Sequence, residues 1–324
     1  MSVAIRSFAK VNLGLAIGER RDDGFHELRT IYQTVALHDV LRVDVSKGTG
    51  IEIRCKDPRV PADESNTCWR VADRVLKALK HRGKVVIQIE KSLPVQGGMG
   101  GASSNAVATM FAMERSLKTV LPAQERLRIA AEVGCDLPLF LLGGTVLGCS
   151  RGEEIYPLSD LPEIPVVIVT PDVGVSTPDA FTRWDELVAN GKLTPTGSSG
   201  TITEFSRSAF EWLSSMSFSS GVPAQKGGDR AETLLLDLVR AGIENDFERV
   251  VFPEYPELRD MKRVLEREGA KYASLSGSGS TLYGLFENQA AAEQAAERMR
   301  AAGLPAQATS TLARENYWAQ VFVR

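Results

Sequence analysis

The chain has 324 residues, which is longer than one average domain and predicts two domains. Its composition, 43% hydrophobic and 24% charged, is that of a folded globular protein with a sizeable core. A formal net charge of −3, with basic and acidic residues interspersed, argues against a nucleic-acid partner, and no apolar run reaches the ~18 residues of a membrane helix.

Cysteine and histidine usage narrows the protein class further. The four cysteines form no CxxC pair and the three histidines lie far apart, so no zinc-type constellation is visible. Few cysteines at irregular spacing are typical of reduced thiols, and the N-terminus lacks a long apolar segment. We therefore expect a soluble cytoplasmic α/β protein with no membrane or nucleic-acid partner, as a monomer or homodimer.

Alternating β-branched residues predict strands, and apolar residues at helical spacing predict helices. The predicted strands, besides a short one around Lys10, are 36–45, 51–55, 84–94, 164–171 and a closing strand at 318–323. The predicted helices are 64–83, 103–117, 122–134, 234–241, 256–268 and 289–302. Residues 190–229, rich in Ser, Gly and Thr, are interpreted as a long mobile insertion. The strand at 164–171 opens the second domain, which gives domains 1–159 and 160–324.

The stretch PVQGGMGGASSN, residues 94–105, joins a predicted strand to a predicted helix. Glycines at this place let backbone N–H groups converge on an anion at the positive end of the helix dipole. No lysine follows, as a P-loop requires, and Ser103 stands where the dinucleotide fingerprint needs a third glycine. The stretch therefore indicates a phosphate site of another type, although by itself it also fits a flexible turn.

Two further stretches favour the phosphate site. Lys10 and Asn12 alternate along a strand within AKVNLGLAIGERRDDGFHEL, residues 9–28, so both side chains should lie on one face. A second glycine-serine stretch, ASLSGSGSTLYG, follows at 273–284. With GCDLPLFLLGG at 134–144, these motifs resemble in order and spacing the signature set of the GHMP kinases. The first is closest to the AKLNLxLxxxxRRxDGYHEL pattern of those GHMP kinases that act on a cytidine diphosphate-linked methylerythritol.

The resemblance implies a fold and an activity. The fold class is α+β with two lobes: an N-terminal mixed α/β domain, a C-terminal ferredoxin-like βαββαβ domain, and the active site in the cleft between them. The activity is transfer of the γ-phosphoryl group of ATP, with Mg²⁺, to the 2-hydroxyl of the methylerythritol moiety in isoprenoid precursor synthesis. ATP and this small molecule are then the expected partners, and the sequence assigns no residue to the Mg²⁺ ion.

The resemblance also assigns catalytic and nucleotide-binding residues. Asp136 matches the aspartate that orients the acceptor hydroxyl and takes its proton, and Lys10 matches its cationic partner. Without the resemblance, Asp136 would be interpreted as the cap of a turn. The expected ATP-binding residues are Pro94, Val95, Gln96, Gly97, Gly98, Met99, Gly100, Gly101, Ala102, Ser103 and Ser104.

For the acceptor, the resemblance implies cytosine recognition by His26 and an aromatic clamp formed by Phe25, Tyr32 and Phe181. Phe25 departs from the usual tyrosine, so a hydroxyl contact is lost while ring stacking remains possible. The expected substrate-binding residues are Asn12, Phe25, His26, Tyr32, Thr177, Phe181, Gly277, Ser278 and Gly279.

Two alternatives stay open at this point. Another GHMP kinase would act on mevalonate, homoserine or a sugar, and the DGFHEL segment argues for a cytidine compound instead. A non-catalytic nucleotide- or RNA-binding protein on the same scaffold is disfavoured by the net charge of −3 and by the retained Lys10 and Asp136.

Overall fold

The structure, a computed structural model, describes residues 2–195 and 244–323. The predicted insertion at 190–229, apart from residues 190–195, and the predicted helix at 234–241 lie outside the described residues. None of the helices in the described ranges has the length and apolar character needed to span a bilayer.

The first lobe is built on a six-stranded sheet with four helices packed against it. Its strands are β1 (Val3–Arg20), β2 (His26–Ser46), β3 (Gly50–Cys55), β4 (Lys84–Glu90), β5 (Thr145–Cys149) and β6 (Glu154–Pro157). Its helices are α1 (Thr67–Ala78), α2 (Gly101–Leu117), α3 (Ala123–Val133) and α4 (Leu137–Phe140). The sheet order is β3-β4-β2-β5-β6, and β1 pairs antiparallel with the long strand β2.

The second lobe is built on a four-stranded sheet in the order β10-β7-β9-β8. Its strands are β7 (Pro165–Val169), β8 (Tyr272–Leu275), β9 (Leu282–Leu285) and β10 (Ala306–Ser310). Its helices are α5 (Thr177–Ala189), α6 (Glu248–Glu254), α7 (Pro256–Arg267) and α8 (Gln289–Ala301). Strand β7 is followed by helices, then by β8 and β9, then by α8 and β10, which is the βαββαβ order of the ferredoxin-like fold. All neighbouring strands are antiparallel, as in that fold, and the expected fold class is confirmed.

The closing strand predicted at 318–323 is wrong. The chain instead forms helix α9 (Arg314–Gln320), followed by an isolated bridge from Phe322 to Ile5 in β1. The amides of Tyr317 and Val321 donate to the carbonyls four residues earlier, at 2.8 and 3.0 Å, as in a helix, and both side chains are buried in the core of the first lobe. The end of the chain therefore returns to the first lobe, while the domain boundary at 159/160 stays a prediction.

Strand β1 places the first functional side chains between the lobes. The ammonium group of Lys10 donates to Oδ1 of Asn12 at 2.6 Å, which confirms that the two side chains share a face. Asn12 in turn donates to the hydroxyl of Thr30 on β2 at 2.7 Å. The carbonyl of Asn12 accepts from the hydroxyl of Tyr283 on β9 at 2.7 Å, so the two sheets meet at this strand.

Candidate active site

The stretch at 94–104, the first glycine loop, connects β4 to α2 with backbone angles that favour glycine. Gly98 and Gly100 have φ values of +78° and +67°. A Cβ atom on Gly98 would lie 2.1 Å from the carbonyl oxygen of Ser276, so no side chain fits there. The amide of Ser104 donates to the carbonyl of Gly100 at 2.8 Å, and the helix follows directly.

Residues 276–280, the second glycine loop, lie against the first glycine loop. A Cβ atom on Gly279 would be 2.5 Å from the nitrogen of Gly98, and the hydroxyl of Ser276 donates to the Gly98 carbonyl at 3.0 Å. This contact confirms that small residues let the two backbones converge. Asn245, 2% exposed, supports the loop from behind by donating to the carbonyls of Leu275 and Gly277 at 2.8 Å each.

A buried carboxylate that sequence reasoning missed fixes the start of the first glycine loop. Asp39 on β2 is fully buried and accepts hydrogen bonds from the amides of Ser92 and Leu93 at 2.7 and 2.8 Å. It also accepts from the ammonium group of Lys91 at 2.6 Å and from the side-chain amide of Asn105 at 3.0 Å. One side chain thus joins the end of β4 to the first turns of α2.

Lys10 and Asp136 are brought together across the mouth of the first glycine loop. The distance from Nζ of Lys10 to Oδ2 of Asp136 is 3.5 Å, and the two side chains are 3% and 33% exposed. Asp136 stands at the N-terminal end of α4 without a capping hydrogen bond from its side chain. Its carboxylate is therefore directed to the cavity and to Lys10, and turn capping does not account for its presence.

Tyr32 holds the same carboxylate from the other side. Its hydroxyl donates to Oδ1 of Asp136 at 3.0 Å, and its ring centroid lies 5.5 Å from Nζ of Lys10. Burial, and then the charge of Asp136, raises the pKa of Tyr32 well above its ordinary value, so the phenol remains a proton donor. The place of Tyr32 in an aromatic clamp stays a prediction, and the structure adds a contact with Asp136 that the sequence did not indicate.

A cavity of about 630 Å³ contains Lys10 and Asp136 and extends to an aromatic end. At that end the rings of His26 and Phe181 are stacked, with centroids 4.9 Å apart and planes 9° from parallel. Phe247, missed in the sequence, contacts Phe181 edge to face at 5.0 Å. Phe25 is 50% exposed, and the guanidinium of Arg151, also missed, lies 4.9 Å from its ring centroid.

The walls of this cavity include most of the residues expected to bind the acceptor. They are Asn12, Phe25, His26, Tyr32, Thr177, Phe181, Gly277 and Ser278. Gly279 instead contacts the backbone of the first glycine loop. Thr177 and Ser278 share a hydroxyl hydrogen bond of 2.6 Å, which ties the start of α5 to the second glycine loop.

A second cavity of about 390 Å³ lies on the other side of the first glycine loop. Residues 94–103, which are all the expected ATP-binding residues except Ser104, line it together with Asn66, Lys91 and Asn105. Ser104 is 2% exposed within α2. Gly98, Gly100 and Ser103 line both cavities, so the first glycine loop borders the cavity that contains Asp136 as well.

Within residues 2–195 and 244–323, no group of three or more His, Cys, Asp or Glu side chains is arranged to hold a metal ion. A Mg²⁺ ion that accompanies ATP needs only one or two protein oxygens besides phosphate and water. Ser103 and Asp136, whose side chains carry oxygen atoms, both line the larger cavity. The donor set therefore fits an ion held mainly by phosphates.

Comparison with known proteins agrees with this geometry. Residues 66–144 match the family described as the GHMP kinases N-terminal domain, and residues 231–304 match the family GHMP kinases C terminal. The 4-diphosphocytidyl-2-C-methyl-D-erythritol kinase of Solibacter usitatus (strain Ellin6076) is 36% identical over 90% of this chain and 84% of its own length. The enzyme of that name from Geobacter sulfurreducens is 33% identical over 96% of this chain and 99% of its own length.

Two solved structures match this chain over nearly its full length. A crystal structure of 4-(cytidine 5'-diphospho)-2C-methyl-D-erythritol kinase matches with a TM-score of 0.70 and 30% identity, covering 95% of this chain and 98% of that one. The homoserine kinase of Cytophaga hutchinsonii matches with a TM-score of 0.73 at 19% identity, covering 98% of this chain and 96% of that one. The second likeness shows the shared fold alone.

Proposed function

The chain belongs to the 4-diphosphocytidyl-2-C-methyl-D-erythritol kinases, a branch of the GHMP kinases, and we propose how its residues carry out that reaction. It phosphorylates the cytidylylated methylerythritol with ATP in isoprenoid precursor synthesis. The observation that carries the residue assignment is the paired arrangement of Lys10 and Asp136 at the loop that separates the two cavities.

In this proposal ATP occupies the smaller cavity with its phosphates against the first glycine loop. Backbone amides of the loop and the N-terminus of α2 bind the β- and γ-phosphates, because they offer donors and a positive dipole end. Gly98 and Gly100 allow the phosphates to approach the backbone closely, and Ser103 lines both cavities. Mg²⁺, held by Ser103, Asp136 and the phosphates, would neutralise charge on the triphosphate.

The acceptor occupies the larger cavity, with its cytosine at the His26 and Phe181 end and its 2-hydroxyl at Asp136. The carboxylate of Asp136 orients the hydroxyl and takes its proton as the oxygen attacks the γ-phosphorus. Lys10, 3.5 Å from that carboxylate, stabilises the negative charge that spreads over the transferred group. Tyr32 keeps the carboxylate in position through its hydrogen bond of 3.0 Å.

Two expectations concern the cellular location and the oligomeric state. Cytoplasmic location is supported by the four cysteines, none of which is in a disulfide in the described residues. A monomer or homodimer remains the expected assembly, and sedimentation of the purified protein measures it.

The test is an assay of purified protein with ATP, Mg²⁺ and the cytidylylated methylerythritol, with mevalonate as the control acceptor. We expect ADP release and phosphorylation of the 2-hydroxyl with the first acceptor only, and inhibition by CDP. Turnover of mevalonate, or indifference to cytidine nucleotides, would contradict the acceptor assignment.

A further inference from the structure

The imidazole of His26 is held by a carboxylate to which the motifs assign no role. Nε2 of His26 lies 2.7 Å from Oδ1 of Asp185, and the histidine is 4% exposed while the aspartate is 37% exposed. Asp185 follows Phe181 by one helical turn on α5, so both side chains meet the same imidazole. Phe181 stacks on the face of the imidazole, and Asp185 contacts its Nε2 edge, so the orientation of the ring is set by both.

This contact decides which ring nitrogen carries the proton. An ionised carboxylate can only accept a hydrogen bond, so Nε2 must be the donor. The guanidinium of Arg20 lies 3.7 Å from the other oxygen of Asp185. In the neutral imidazole, Nδ1 is then an acceptor, and it is the nitrogen through which this side chain can hydrogen-bond to a ligand.

We propose that Asp185 is a positioning residue that sets the tautomer of His26 and thereby selects cytosine over uracil in the acceptor. The inference rests on the proposed function, because it places the pyrimidine at the aromatic end of the larger cavity. Cytosine presents an N–H donor at its 4-amino group, whereas uracil presents a carbonyl acceptor at the same place. An acceptor at Nδ1 that faces the 4-position accepts from the amino group of cytosine and is repelled by the carbonyl oxygen of uracil.

A role limited to structure would give a different result. The pair also connects β2 of the first lobe to α5 of the second, so its loss could loosen the cavity without any effect on base choice. A loosened cavity would bind cytidine and uridine ligands with equally reduced affinity. A change in the ratio of the two affinities therefore separates tautomer control from simple support.

The experiment measures dissociation constants of CDP and UDP by calorimetry on full-length wild type and on Asp185→Asn. The asparagine keeps the size of the side chain but removes the charge that requires Nε2–H, and it can donate to Nε2, so the opposite tautomer with a donor at Nδ1 becomes accessible. We expect the preference for CDP over UDP to fall by about tenfold, the effect of one hydrogen bond. The affinity for ATP should stay unchanged.

Glu186→Gln is the matched control, because it removes the same charge from the adjacent residue of α5, where Glu186 pairs with Arg183 at 2.6 Å. It should keep the wild-type preference. A wild type that does not favour CDP overturns the proposed acceptor. A wild type that favours CDP, together with an Asp185→Asn variant that retains the full preference, overturns only the role of Asp185.

A second measurement does not depend on folding of a variant. Nitrogen-15 NMR of the imidazoles in wild type at mildly alkaline pH distinguishes the tautomers, and the chain has only three histidines to assign. We expect His26 to carry its proton on Nε2. A proton on Nδ1 would overturn the proposal.

Discussion

The hydroxyl of Tyr32 donates a hydrogen bond of 3.0 Å to Oδ1 of Asp136, a residue 104 positions later in the chain. The other oxygen of the same carboxylate faces Lys10 at 3.5 Å. The proposed base is therefore held from two directions, by a hydrogen-bond donor and by a cation.

Replacing Tyr32 with phenylalanine tests the first of these contacts. The ring and its packing remain, but the carboxylate loses one hydrogen bond, so we expect kcat to fall by about tenfold with little change in KM for ATP. Steady-state kinetics with both substrates measures the split. A larger rise in KM for the acceptor than fall in kcat would instead assign Tyr32 to substrate binding, as the sequence suggested.

Asp136→Asn tests the proposed base directly. The amide keeps the shape of the side chain but cannot take the hydroxyl proton, so kcat should fall by about 10²- to 10⁴-fold. The fold should be retained, because the amide oxygen can still accept a hydrogen bond from Tyr32 or Lys10, but the thermal midpoint should fall because buried Lys10 loses its charged partner. Near-normal turnover by this variant would rule out the mechanism.

Gly98→Ala tests the contact between the two glycine loops. The added Cβ would come within 2.1 Å of the Ser276 carbonyl at a φ of +78°, so we expect the free energy of unfolding to fall by about 2–4 kcal/mol. Gly101→Ala is the matched control for stability, since its Cβ would meet its nearest atom at an ordinary 3.5 Å. Urea denaturation compares them, and equal midpoints would show that the loops do not touch in solution.

Asp39→Ala tests the anchor of the first glycine loop. Removal leaves the ammonium of Lys91 and three other donors without their acceptor, which should cost about 3–5 kcal/mol of stability. Asp73→Ala, which removes a helical ion pair with Lys77 at the surface, should cost about 0.5 kcal/mol or less. Denaturation of both variants measures the difference, and similar losses would contradict the assigned role.

Alkaline pH should destabilise the fold through its buried tyrosines. Burial raises the pKa of Tyr32, Tyr272, Tyr283 and Tyr317, so the folded protein keeps these protons above pH 10, where the unfolded chain releases them. Stability should therefore be complete below about pH 10 and fall as the pH rises further. Urea midpoints and tyrosinate absorbance measured together check this. Ionisation of these four tyrosines near pH 10, while the protein is still folded, would contradict the prediction.

The sequence predicted the local parts of the site well. The strand, glycine loop and helix around Gly98 and the shared face of Lys10 and Asn12 depend on spacing within a few residues. Spacing of this kind can be read from the sequence without knowledge of the fold. The motif order also led to the correct lobe architecture through the family, which secondary-structure patterns alone would not have given.

What the sequence missed depends on contacts between distant segments. Asp39 and Asp185 are ordinary acidic residues until folding brings them to Ser92 and to His26. The helical spacing of Phe181 and Asp185 was an available signal for the second. The error at 318–323 arose because WAQVFV fits both strand and helix spacing, and packing of Tyr317 against the first lobe decided for the helix.

Gly98 and Gly100 line both cavities, so in the proposed arrangement the partition between ATP and the acceptor is the backbone of the first glycine loop. In that arrangement the γ-phosphoryl group is transferred without a large displacement of either molecule. A compound that joins a nucleotide to a cytidine fragment by a short tether could thus straddle the partition and bind both compartments at once, with an affinity well beyond that of its halves.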